Sequence, residues 1–330
     1  MFTTKGINVY CEDLRKEVLT YGGDCQLGVF AAYLYLIGIE EYNISEILVI
    51  SESFGYYVEN LKVAGREFYK VNGKQMRFEK KFCDACRIDS KYDNYESLND
   101  LKNDFQITNQ PVICYVDRFY LDFLNIEPVH CGNHSIIIVD IDDINNSASI
   151  IDGLDLRIHN VSLSVLEKAM YSKIIYGRSD GEYFKILKDR GFKRIADIEI
   201  IEHFYANMKV ILQEDIPSKI CKKISVVYKS DNLLKADSEF FSQMLKINMK
   251  AAYMYEPTRT FYRKLISEFL FKYESKLKIK DDWENVCLNW NNTLKKYDSI
   301  DKGVINNVIL ALQYEMEVIR EIVNNEMSCF

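Results

Sequence analysis

Tyr21-Gly22-Gly23-Asp24-Cys25-Gln26-Leu27-Gly28, followed by the apolar run Val29 to Ile37, is the stretch on which the fold turns. The run is too evenly apolar for a one-sided surface helix and reads as a buried one, Cys25–Ile39, closed by Gly38. Cys25 stands at its start. A cysteine there feels the positive end of the helix dipole and backbone N–H groups that have no intrahelical acceptor. Both favour the thiolate, which is the nucleophilic form. The preceding Gly22-Gly23 pair lets other backbone approach closely. Free cysteine is otherwise a small buried hydrophobe, so a nucleophilic role requires partners.

Partners lie downstream. The chain has 4 histidines. His134 opens the strand Asn133-His134-Ser135-Ile136-Ile137-Ile138-Val139-Asp140, whose unbroken apolar run predicts burial on both faces. His130 competes from the loop Glu127-Pro128-Val129-His130-Cys131-Gly132, while His159 and His203 stand in less suggestive contexts. A base on a rigid strand favours His134. The acid is Asp152, at the end of Ser149-Ile150-Ile151-Asp152, with Asp140, Asp142, Asp143 and Asp155 as rivals. A turn at Asp142–Asn146 would bring residues 150–152 alongside 134–138 and leave the turn aspartates solvated. That geometry favours Asp152, for which capping of Gly153 is the plainer role.

Length and composition bound the rest. At 330 residues, 48% hydrophobic and 28% charged, the chain suits two folded domains. A net charge of -7 disfavours nucleic acid as a partner. Met1 to Gly6 lacks the apolar core of a signal peptide, no apolar run is long enough to span a membrane, and 9 scattered cysteines fit reduced thiols. A cytoplasmic location is expected. Arg66, Lys70, Lys74, Arg77, Lys80 and Lys81 form a basic stretch, either a solvated hairpin face or a docking patch for an acidic partner. Cys83-Asp84-Ala85-Cys86 could join Cys131 and His134 or His130 around zinc, or act as a redox pair. Chance spacing in a loop is favoured, and no metal site is expected.

The first half reads as α/β in its local pattern. Ile44–Ile50 is helical or extended, Ser53–Val58 is strand-like, and Phe68–Phe78 reads as a hairpin turning at Asn72-Gly73. Tyr95–Phe105 is a short helix, and residues 111–116, 135–141 and 148–151 are strands. Beyond about residue 160 helical spacing takes over: Ser162–Tyr176, Ile200–Leu212, Asp237–Met254, Thr258–Lys276, Asp281–Lys296 and Gly303–Asn325. Trp283, Cys287 and Trp290 share one face, as do Ile305, Val308, Ile309, Leu312, Met316, Ile319, Ile322 and Val323 of the last helix. Both are read as core stripes. The expected division is an α+β catalytic domain over residues 1–160 and an all-helical domain over 161–330 that packs on the first or lids its site.

Cysteine on a helix start, then histidine and an acid on neighbouring strands, is the chain order of a papain-like site. Together, Cys25–Gly38, the Ser53–Tyr57 run, Val116-Asp117-Arg118-Phe119-Tyr120-Leu121 and His134–Asp152 resemble, in the same order, the N-terminal domain of butirosin biosynthesis protein H. The chain also resembles the amide-forming enzyme of closthioamide-type polythioamide biosynthesis. The resemblance covers residues 20–155. It implies a papain-like fold without protease activity, in which an acyl group passes from a carrier-protein phosphopantetheine thioester through an acyl-cysteine to a small-molecule amine. Cys25 would be the nucleophile, His134 the base and Asp152 its orienter. The protein would carry no cofactor of its own, since phosphopantetheine arrives on the acyl or peptidyl carrier protein, and no membrane is involved.

One departure concerns the oxyanion hole. Papain-like enzymes carry a glutamine a few residues before the cysteine, where this chain has Glu17-Val18-Leu19-Thr20. The Cys25 N–H must then work with another donor, for which Gln26, Tyr21 and Asn133 are candidates. A cysteine hydrolase, peptidase or thioesterase, with the same three side chains is the competing enzymatic reading. A non-catalytic papain-like binding module with an inert Cys25 is the other.

Overall fold

The computed structural model describes residues 24–63, 66–74, 77–124, 130, 134–173, 180–188, 192–213, 261–273, 280–295 and 302–325. The chain divides into two compact units, one formed by Met1–Ile47 with Glu79–Arg194, the other by Leu48–Phe78 with Ile195–Phe330. These do not follow a single cut near residue 160.

The first unit is built on a six-stranded antiparallel sheet, in the order β3 (Asp89–Asn94), β8 (Glu182–Lys188), β4 (Val112–Val116), β5 (His134–Asp142), β6 (Ser147–Asp152), β7 (Ile158–Ser162). Every residue of β4 is buried, as expected for a central strand covered on both faces. One face carries Val112, Cys114, Val116, Ile136, Ile138 and Ile150. It forms a core with Leu98, Leu101 and Phe105 of α4 (Leu98–Thr108) and Leu163, Leu166, Ala169 and Met170 of α5 (Leu163–Met170). Helix α4 starts on a capping box in which Ser97 and Asp100 satisfy each other's backbone N–H.

Helix α1 (Cys25–Leu36) packs against the sheet through a different set of side chains. Phe30 meets Phe184 of β8 at 5.8 Å between ring centroids, and the buried Tyr33 hydroxyl accepts the backbone N–H of Ile186 at 3.0 Å. Ten of its twelve residues are buried, which explains a sequence with no polar stripe. At its end Gly38 adopts φ +89°, Ile39 N–H reaches back to Leu34 and Gly38 N–H to Tyr35. This is a Schellman closure, which calls for glycine at the left-handed position.

The second unit holds the hairpin β1 (Phe54–Val63) and β2 (Arg66–Lys74) with α6 (Asp197–Gln213), α7 (Phe261–Lys272), α8 (Lys280–Lys295) and α9 (Lys302–Asn325). Its centre is Trp283, whose indole N–H donates to the carbonyl of Arg263 at 2.9 Å and whose ring meets Phe54 edge-on. Arg263 and Glu315, both fully buried, pair through Nε and a second guanidinium nitrogen at 3.0 and 2.6 Å. Leu312, Met316, Ile319 and Ile322 are buried along α9, as their spacing predicts, while Cys287 is only partly covered. Among the described residues no helix is long and apolar enough to cross a membrane.

Several local expectations change. The hairpin spans Phe54–Lys74 rather than 68–78, and Asn72 pairs with Tyr57 inside it. The turn signal Asn72-Gly73 yields to the longer pairing of β1 with β2. Phe78 instead opens α3 (Phe78–Ala85), so Cys83 lies on a helix and Cys86 just beyond its end, not in a loop. Helix α5 stops at Met170 because the chain turns there to bury Ser172, whose hydroxyl donates to Asp117 at 2.7 Å. The part after residue 160 is not all helical: β8 returns to the sheet between β3 and β4. The helix expected over Asp237–Met254 lies outside the described residues.

Candidate functional site

Cys25 is the first residue of α1, and its helix is capped by Asp24, whose Oδ1 accepts the Leu27 N–H at 2.8 Å. Such a cap contributes about 1 kcal/mol and fixes the direction from which the chain enters the helix. The Cys25 side chain is neither sealed nor fully open, in contrast to the buried Cys83 and Cys114.

His134 begins β5 directly opposite Val116 of β4, and Asp152 ends β6 opposite Ile136. This hairpin register sets the histidine and the acid side by side. His134 Nε2 lies 2.6 Å from Asp152 Oδ2, with the two side chains 3% and 0% exposed, so no bulk water competes for this contact. The Asp152 Oδ1 atom is held in turn by the Leu154 N–H at 2.7 Å, which anchors the carboxylate from behind. With Nε2 engaged, Nδ1 is the ring nitrogen left for sulfur, and Cys25 is close enough to act on the charge of the imidazole. Burial alone would disfavour a charged ring. Asp152, which accepts a hydrogen bond from the ring, and the neighbouring Cys25 overcome it and push the His134 pKa from 6.5 up to about 10.

What brings the helix start onto the end of β6 is Gly153. A Cβ at this position would sit 2.5 Å from the Cys25 carbonyl oxygen, 2.7 Å from Cys25 Cβ and 2.7 Å from the Ser135 carbonyl oxygen. The Gly153 N–H donates to that same Ser135 carbonyl at 3.1 Å. Sequence reading offered only a capping role here. The Asp-Gly pair marks a turn, but the contact across 128 positions in sequence has no local signal.

The other candidates fall as follows. Gln26 is buried at the second position of α1. Tyr21 and Asn133 lie outside the described residues. Asp140 is exposed, and Asp143 pairs with Lys102 at 2.7 Å. Asp142 caps the β5–β6 turn, where the Asn145 backbone and side chain hold its carboxyl below the usual range. Asp155 pairs with His159, and His203 with Glu52. His130 is bonded through Nδ1 to the fully buried Asp117 at 2.7 Å. Arg66, Lys70 and Lys74 lie on β2, Arg77 is exposed, and Lys80 and Lys81 lie on α3, where Lys80 pairs with Asp84. Cys86 Sγ donates to the Tyr42 hydroxyl, and no group of three or more metal-binding side chains occurs among the described residues.

A sulfur at a helix start and an imidazole backed by a buried carboxylate make Cys25, His134 and Asp152 the candidate site of this α+β scaffold. Residues 24–153 match the family model for butirosin biosynthesis protein H, N-terminal. The match runs from the helix cap to the glycine against which Cys25 packs, and supports a butirosin biosynthesis protein H-like family for this part of the chain. No curated protein matches the chain.

Gly153→Ala should destabilise the protein by about 1–3 kcal/mol in urea unfolding, because backbone rather than a flexible side chain must move. Unchanged stability would contradict the close approach. His134, observed by side-chain NMR, should keep its proton through neutral pH and lose it near 10. Its contribution to stability is then full below pH 6.5 and fades as pH rises through about 10. Titration near the ordinary value would contradict the paired geometry.

Proposed function

We propose that this protein is a cysteine-dependent acyltransferase that forms amides from carrier-protein thioesters in antibiotic biosynthesis. The observation that carries the reading is His134, paired with the buried Asp152 at 2.6 Å, with Cys25 at the start of α1 close enough to act on its charge. The family match over residues 24–153 supports the biosynthetic setting. On this reading the first unit is papain-like, and the nearest chemistry is the amide formation of polythioamide assembly.

His134 holds the proton taken from Cys25, and the sulfur attacks the thioester carbonyl. The oxyanion is placed on the backbone N–H of Cys25 at the start of α1, together with a second donor. His134 then protonates the departing phosphopantetheine thiol, leaving acyl-Cys25 and a neutral imidazole. An amine attacks the acyl carbon, its proton passes to His134, the carbon–sulfur bond breaks, and the amide leaves. Exchange between thioesters is nearly balanced, and conversion to an amide is downhill, so no ATP is needed. Water is the competing nucleophile and must be kept out. Docking of an acidic carrier on the basic residues from Arg66 to Lys81 belongs to the same proposal.

Incubation with a short-chain acyl thioester of N-acetylcysteamine, the end of the phosphopantetheine arm, followed by intact mass measurement, tests it. Acylation of Cys25, absent in Cys25→Ala, and amide on adding an amine are expected. Free acid as the main product would indicate a hydrolase. No adduct at all would indicate a binding module.

A further inference from the structure

We propose that His130 and Asp117 form a second acid–base pair, which takes the first proton from an alkylammonium acceptor before it attacks acyl-Cys25. The inference rests on the acyltransferase reading and assigns the acceptor side of the same site.

Asp117 directly follows Val116, the register partner of His134. Partner Cα atoms in an antiparallel pair are about 5 Å apart and one further residue adds about 3.4 Å, so Asp117 belongs to the same end of the sheet as the cysteine site. Its carboxylate is fully buried, and several groups fix it. Oδ1 accepts the Phe119 N–H at 3.1 Å, and Oδ2 accepts the Ser172 hydroxyl at 2.7 Å. The same Oδ2 lies 2.7 Å from His130 Nδ1. The imidazole is 52% exposed, in contrast to the sealed ring of His134. It stacks on Phe119 at 3.9 Å with the planes 15° apart, and the Tyr120 ring meets it from the side. A ring so oriented, with one nitrogen held by a buried acid, presents Nε2 outward as a proton acceptor.

The chemistry gains from such a group. An alkylamine resembles a lysine side chain, with a pKa of about 10.4, so at pH 7.4 only about one molecule in a thousand is the free base. His134 in the acyl-enzyme has one vacant nitrogen, and it is needed for the proton released as the carbon–nitrogen bond forms. The sequence then balances. Neutral His130 takes one proton from R–NH3+ and becomes an imidazolium facing Asp117. R–NH2 attacks the acyl carbon, and the second proton goes to His134. The carbon–sulfur bond breaks with its electron pair on Cys25, and His130 returns its proton to water. Phe119, 38% exposed, offers apolar surface for the carbon chain of the amine.

Single-turnover reactions of wild type and His130→Gln with the N-acetylcysteamine thioester test this, using propylamine and hydroxylamine as acceptors. Hydroxylamine is already unprotonated at neutral pH. The variant should acylate Cys25 within about twofold of wild type and lose roughly 100-fold with propylamine. It should keep its rate with hydroxylamine. Equal loss with both amines would reduce His130 to a structural role, and no loss with either would remove it from the reaction. Absence of any Cys25 adduct in the wild type would overturn the acyltransferase reading itself, and this inference with it.

Discussion

A carboxylate with no exposure to water cannot stand alone, and Asp152 finds its partner in His134 at 2.6 Å. Removing one member of such a buried pair costs about 3–5 kcal/mol, because the other is left unpaired. The pair therefore fixes the imidazole far more firmly than a surface contact could. It also decides which ring nitrogen remains for sulfur. The register of β5 and β6 sets Ile136 opposite Asp152, and a slip by one residue would carry Asp152 to the other face of the sheet from His134.

Cys25 must be brought to this pair from the other end of the first unit's chain, and packing does that. The contact of Phe30 with Phe184 and the Tyr33 hydroxyl on Ile186 hold α1 to the sheet, and the Asp24 cap and the Gly38 closure define where the helix starts and stops. Gly153 then lets strand end and helix start touch at a distance no side chain would permit. Rigid elements thus supply all three groups, which is how a site keeps its geometry without ligand present.

Much of this was legible in the sequence, for reasons that differ by residue. The buried helix after Cys25, the strand after His134 and the hairpin that returns Asp152 were readable from apolar runs and one turn, since burial writes itself into local pattern. The pairing of β1 with β2 was missed because Asn72-Gly73 is the stronger local signal, and only the length of the pairing overrules it. Strand β8 was missed because it adds to the sheet between strands far from it in sequence. Asp117 could have been noticed as an acid directly following the wholly apolar Val112–Val116. Gly153 could not, because its constraint comes from a helix more than a hundred residues away.

Two histidine–aspartate pairs at one end of a sheet, one sealed and one half open, suit two proton transfers of different exposure. The central claim is that Cys25 is set apart from the other thiols by His134. Peptide mapping after brief iodoacetamide treatment at neutral pH measures it directly. Cys25 should be alkylated well ahead of Cys83, Cys86, Cys114 and Cys287, and His134→Ala should remove that lead. Labelling spread evenly over the cysteines, or a lead that survives loss of the imidazole, would contradict it.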